Sequence, residues 1–173
     1  MLVKLVKILA NFIKTARKIE LTELFGIPLV ISILCIIFIF NNFQNAQNFQ
    51  SNFNDSVISI SSLLAAFGVA SITILLTSSS ENIKRAINTD TNRYDINKKQ
   101  ISYYKLLVIR SFFNLFIQMI LLLISIIYKV ILVKININIY LFAIQLYLVI
   151  LTVYTQIFVV CSIYHLLSNE IKK

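Results

Sequence analysis

The sequence predicts an all-α membrane protein with four transmembrane helices, and three observations carry that prediction. First, the 173 residues are 58% hydrophobic, only 13% are charged, and mean hydropathy is +0.84. A soluble domain of this size has no interior large enough to hide so much apolar side chain. Second, there are two glycines and one proline, and neither type occurs after Gly68. The later part of the chain therefore lacks the two strongest breakers of regular structure, and the turn residues that a β-barrel needs are missing. Third, thirteen basic residues lie in segments 1–24, 78–105 and the C-terminal tail, against only Lys129 and Lys134 in the alternate segments. That asymmetry orients both termini and the central segment to the cytoplasm, as expected for a multi-pass inner-membrane protein.

The chain reads as one membrane domain over residues 1–173. Residues 1–20 place Lys4, Lys7, Asn11, Lys14, Thr15 and Lys18 on one helical face, with Leu2, Leu5, Val6, Leu9, Phe12, Ile13 and Ala16 opposite. This is a basic amphipathic helix expected to lie in the interface, its lysines on anionic headgroups. Gly26 and Pro28 would mark the turn from it into the first span, residues 25–43. No cleavable leader is expected, because lysines interrupt the first apolar run.

The second span, 57–77, carries two small-residue faces. Ser59, Ser62, Ala66, Ala70, Thr73 and Thr77 form one; Ser61, Ala65 and Gly68 form the other. Small residues let helix backbones approach closely, so this span is expected to be the central packing helix. The segment 78–105 has a net charge of +3. It begins with a serine cap ahead of Glu81, and "NTDTN" at 88–92 is its plausible turn, which predicts a cytoplasmic helical hairpin. The third and fourth spans cover 106–128 and 139–167, the latter long enough to tilt.

The third span raises the functional question. Arg110 stands about one turn inside its cytoplasmic end, and Asn114, Gln118 and Ser125 share its face. An arginine near a helix end can snorkel to the interface, but aligned amides deeper in the bilayer want polar partners. On the fourth span Asn138, Gln145, Thr152 and Gln156 form a matching face. Either these stripes bond to each other and glue the bundle, or in a homo-oligomer they line a wet pathway with Arg110 as a ring at its mouth. Arg110, Asn114, Gln118, Gln145, Thr152 and Gln156 are the pore-lining candidates on the second reading. Lys98, Lys99, Tyr103 and Lys105, with Arg110, combine cations and an aromatic ring, and are the candidates for holding an anionic nucleotide or oligonucleotide.

Several classes are disfavoured. None of the seven carboxylates falls inside an expected span, which argues against proton-coupled transport. No Ser–His or paired-Asp constellation and no glycine-rich phosphate loop is available, so no catalytic residues are assigned and an enzyme is not expected. His165 has no companion at ligand spacing, Cys35 and Cys161 read as small buried hydrophobes, and neither a metal site nor a cofactor is expected.

From "ISISSLLAAFGVASITILL" through "YHLL", with a basic segment between, the layout resembles small four-span membrane effectors of bacterial anti-phage defence. The Hailong-type channel effectors are the family it looks most like. The resemblance is architectural and carries over no residue roles. It implies a homo-oligomeric channel that depolarises the inner membrane and is kept closed by a nucleic-acid oligomer. A holin-like protein and a non-conducting scaffold or accessory subunit have the same outline.

Overall fold

The computed structural model describes residues 2–42, 46–132 and 139–167. Of the positions singled out above, Lys134, Asn138 and the basic residues of the C-terminal tail lie outside the described residues, and Leu2, Lys4, Leu5 and His165 lie outside those with described side chains. Six helices and one two-stranded sheet follow in the order α1 (Leu2–Thr15), α2 (Lys18–Asn42), α3 (Ala46–Thr77), α4 (Glu81–Asn88), β1 (Asp90–Tyr94), β2 (Gln100–Ser102), α5 (Tyr103–Leu132) and α6 (Ile139–Leu167). Four helices are long and apolar enough to cross a membrane, over Lys18–Ile39, Phe49–Thr77, Tyr103–Ile131 and Tyr140–Tyr164.

α1 ends earlier than the amphipathic pattern suggests, and α2 starts earlier. The break falls at Ala16 and Arg17, and Gly26 and Pro28 lie inside a continuous α2. Local capping explains the position. The Thr15 hydroxyl donates to the carbonyls of Asn11 and Phe12, closing α1. The Glu20 carboxylate accepts the Arg17 amide at 3.2 Å, the back-reach of a third-position glutamate to a helix N-cap. Pro28 lies inside α2 without ending it, and its ring is fully buried.

α1 also does not turn its whole apolar face to lipid. Phe12 is buried, stacked on Phe113 of α5 with ring centroids 3.6 Å apart, while Val6 and Ile13 stay exposed. Phe12 belongs to a cluster with Leu24, Phe113, Ile117 and Leu151, so α1 is wedged into one end of the bundle.

The central helix is α5, not α3. α5 packs against α1, α3, α4 and α6, and α2 packs against α6. α3 buries Ser61, Ala65, Ile72 and Leu75, and tucks Gly68 against α5. Its other small-residue face, including Ser59, Ser62, Ala66, Ala70, Thr73 and Thr77, is exposed. There Ser59, Ser62, Thr73 and Thr77 each donate to the carbonyl four residues earlier, which keeps their hydroxyls satisfied in an apolar medium. Cys161 is likewise exposed rather than buried, and Cys35 is half-buried.

The segment between α3 and α5 is not a helical hairpin. Ser80 caps α4 as the sequence predicts, accepting the Ile83 amide, and Arg85 pairs with Glu81 one turn apart. The chain then turns extended at Thr89, and β1 and β2 pair antiparallel, with Asp90 opposite Ser102 and Tyr94 opposite Gln100 across an irregular register. The reversal lies at Asp95–Lys99, not at residues 88–92. Asp95 organises it: its carboxylate accepts the amides of Asn97 and Lys99 at 2.8 and 3.0 Å and the Lys105 ammonium at 2.9 Å, while Lys98 takes the left-handed conformation at φ 59°. Thr91, Tyr94 and Ile101 supply the strand-forming side chains that a helical reading of this segment underweights.

The Lys105 ammonium and the amides beside it hold the Asp95 carboxyl below its usual range. A folded-state value below the unfolded one means the ionised carboxylate stabilises the hairpin at neutral pH. That contribution fades as pH falls below about 4. In hydrogen exchange corrected for intrinsic rates, the amides of Asn97 and Lys99 should exchange about tenfold faster in Asp95→Ala. The wild type should approach the variant only in the acid range.

Candidate functional site

The polar residues of α5 line up on one buried face: Arg110, Asn114, Gln118, Ser125 and Tyr128. From Arg110 to Tyr128 the rise of 1.5 Å per residue covers roughly 27 Å, close to the thickness of a bilayer's hydrocarbon layer. Each meets polar side chains from neighbouring helices, so a polar file runs through the bundle from the hairpin end to the far end.

At the hairpin end, Arg110 is 9% exposed. Its guanidinium donates to Glu20 Oε2 at 3.1 Å and to the Ser162 hydroxyl at 3.3 Å, and it lies 4.4 Å from the centroid of the Phe158 ring. Glu20 is shared. Arg93, on β1, donates to Oε1 at 2.6 Å and to Oε2 at 2.8 Å, and also donates to the Thr15 carbonyl. One carboxylate in the first turn of α2 thus ties the α1–α2 corner, the β-hairpin, α5 and α6. Arg110 enters the interior with a counter-charge from its own chain, which is the arrangement that makes a buried cation tolerable.

Further along, Asn114 and Gln118 both donate to Gln156 Oε1, and Thr155 donates to Asn114 Oδ1 at 2.8 Å. Gln118 also lies against Gly68: a Cβ built there would sit 2.9 Å from Gln118 Oε1. At the far end Gln145 donates to both Asn54 Oδ1 and the Ser125 hydroxyl, and Tyr128 donates to Gln50 Oε1 at 3.1 Å. Lys129 and Asp55 pair beyond it at 2.8 Å, half exposed. Four buried atoms in the file have no hydrogen-bond partner among the described residues: Asn54 Nδ2, Gln118 Oε1, Gln145 Oε1 and Thr152 Oγ1.

All six pore-lining candidates are therefore in the file, and they meet within a single chain. The nucleotide-binding candidates fall into two groups, Lys98, Lys99 and Lys105 at the Asp95 turn, and Tyr103 and Arg110 against Ser162. Lys98 and Lys99 are exposed at the hairpin turn, Lys105 is held by Asp95, and the Tyr103 hydroxyl donates to the Ser162 carbonyl at 3.4 Å.

Sequence reasoning missed Glu20 and Arg93, and it missed Gln50 and Asn54, which lie between the expected first and second spans. A signal was present: Gln50, Asn54, Val57, Ser61, Ala65 and Gly68 recur at three- and four-residue steps, one continuous face of a longer α3. No metal-holding group of His, Cys, Asp or Glu occurs among the described residues. No protein-family model, curated protein or solved structure matches the chain.

Glu20→Gln should cost about 3 kcal/mol in detergent unfolding, because it strands Arg110 in the interior beside a second cation. Arg93→Gln should cost less, since Arg110 still neutralises the carboxylate. Glu20→Gln combined with Arg110→Gln should recover part of the loss. Gly68→Ala should cost about 1–3 kcal/mol, because the added methyl displaces an amide already bonded to Gln156.

Proposed function

We propose that this protein is a channel-type membrane effector whose polar file is the closed conduction path. The observation that supports this reading is the file itself: amides, hydroxyls and one arginine across the depth of a bilayer, with four buried polar atoms left unpartnered. Residues selected only to glue helices would be expected to satisfy each other, since an unpartnered buried polar group costs about 1–3 kcal/mol. Water entering the file completes those groups, and modest separation of α5 from α3 and α6 converts the side-chain bonds into a hydrated lining.

In this reading the hairpin end, rich in Lys and Arg, is cytoplasmic, and the protein acts in the inner membrane, where opening dissipates the membrane potential in antiviral defence. The exposed small-residue face of α3 is where a second copy packs in a homo-oligomer. The gating ligand is an anionic nucleotide or oligonucleotide, and the exposed Lys98 and Lys99 are its first contacts. Arg110, neutralised by Glu20, closes the inner end of the file instead of standing as an uncompensated ring.

A second reading, a non-conducting scaffold, is favoured by a different fact: Asn114, Gln118, Thr155 and Gln156 bond within one chain. Proteoliposomes with a potassium gradient and a potential-sensitive dye separate the two. Under the channel reading the wild type collapses the gradient and Gln118→Leu slows it severalfold. If neither the reconstituted protein nor high expression in cells changes potential, with or without anionic nucleotide or oligonucleotide, the channel reading fails and the scaffold stands.

A further inference from the structure

We infer that the corner between α1 and α2 is a binding site for a phosphoryl group, supplied either by an anionic lipid headgroup or by a small soluble phosphate. This inference does not depend on the channel reading. A cavity of about 230 Å³ lies there, lined by Lys14, Thr15, Ala16, Arg17, Asn92, Arg93 and Tyr94. Three of those seven residues are cations drawn from three different elements: the last turn of α1, the α1–α2 break and strand β1.

The charge balance at this corner is positive. Among the described residues, neither Lys14 nor Arg17 is in an ion pair. Arg93 is paired, but its carboxylate Glu20 also serves Arg110, so two cations share one anion. Arg93 uses three N–H donors on Thr15 and Glu20, which holds the guanidinium rigidly at the cavity wall and leaves two donors over.

The negative end of α1 is blunted: the carbonyls of Asn11, Phe12 and Thr15 already accept hydrogen bonds from Thr15, Ala16 and Arg93. Glu23, on the next turn of α2, does not line the cavity. The level is also right. The uninterrupted apolar run of α2 begins after Glu23, so the cavity lies outside the hydrocarbon layer, on the side where headgroup phosphates lie. A fixed guanidinium with a mobile lysine and a second arginine is the donor set that recognises phosphate oxygens.

The test uses the full chain purified in an uncharged detergent, with thermal unfolding as readout. One arm titrates short-chain phosphatidic acid or phosphatidylglycerol against phosphatidylcholine; the other titrates inorganic phosphate. The double variant Lys14→Gln/Arg17→Gln removes two of the cavity's cations without touching the Glu20 network. Lys84→Gln/Arg85→Gln removes two exposed cations elsewhere, on α4. The expected result is saturable stabilisation of the wild type by the anionic probe, weakened at least tenfold in the corner variant and less than twofold in the α4 variant. Stabilisation by the anionic lipids alone identifies a headgroup as the source, and stabilisation by inorganic phosphate as well identifies the phosphoryl group itself. Equal weakening in both variants would reduce the effect to diffuse charge attraction and overturn the inference, as would no stabilisation by any anionic probe. Failure here leaves the ion-flux test of the channel reading untouched.

Discussion

Glu20 is the point on which the hairpin end of the bundle depends. It is a short side chain at the start of α2, yet it accepts from the Arg17 amide, from both terminal nitrogens of Arg93 and from Arg110. Once buried, a guanidinium needs a counter-charge, and a helix start needs an acceptor for its leading amides. One carboxylate meets both needs. The location of the α1–α2 break, the docking of the β-hairpin against α1 and the burial of Arg110 all follow from that sharing. The wedging of α1 follows too, since Arg93 holds the Thr15 carbonyl while Phe12 stacks on Phe113.

Beyond that end, the bilayer sets different rules. Apolar surface drives little association between spans, because lipid tails are as apolar as leucine. The described helices are instead held by close packing and by side-chain hydrogen bonds. Gly68 lets Gln118 come up to the α3 backbone, and amides of α3, α5 and α6 interlock around Gln145 and Gln156. At the far end, aromatic rings take over, with Phe49 and Phe53 each edge-to-face on Phe142, in the cluster of the buried Tyr128. The polar file is thus what joins the helices; under the channel reading proposed above it is also the path, and a few hydrogen bonds of modest strength would then separate closed from open.

What could be read in advance follows from how each signal is encoded. The four spans and the amphipathic α1 are written in composition and periodicity, local properties of contiguous residues. The polar stripes of α5 and α6 were legible for the same reason, since a helical face is a matter of spacing. The β-hairpin was not, because β1 and β2 are short and the Asp95 turn works through contacts to Lys105, ten residues away. The far-end polar partners were obscured by composition: "NNFQNAQNFQSNFND" looks like a hydrophilic loop until Gln50 and Asn54 are counted along the same face as Ser61 and Gly68.

By itself, then, the sequence determined that this chain lives in a membrane, that it has four spans, and which side chains of α5 must find polar company. Only the tertiary structure decided what that company is. Whether Arg110 reaches an interface, a partner subunit or an internal carboxylate depends on Glu20, ninety positions earlier, being brought alongside by the packing of α2 on α6. Pairings of that kind carry no local signature. They arise because the lipid leaves a buried charge or amide nowhere to go except another polar group, and only the packed bundle says which one is within reach.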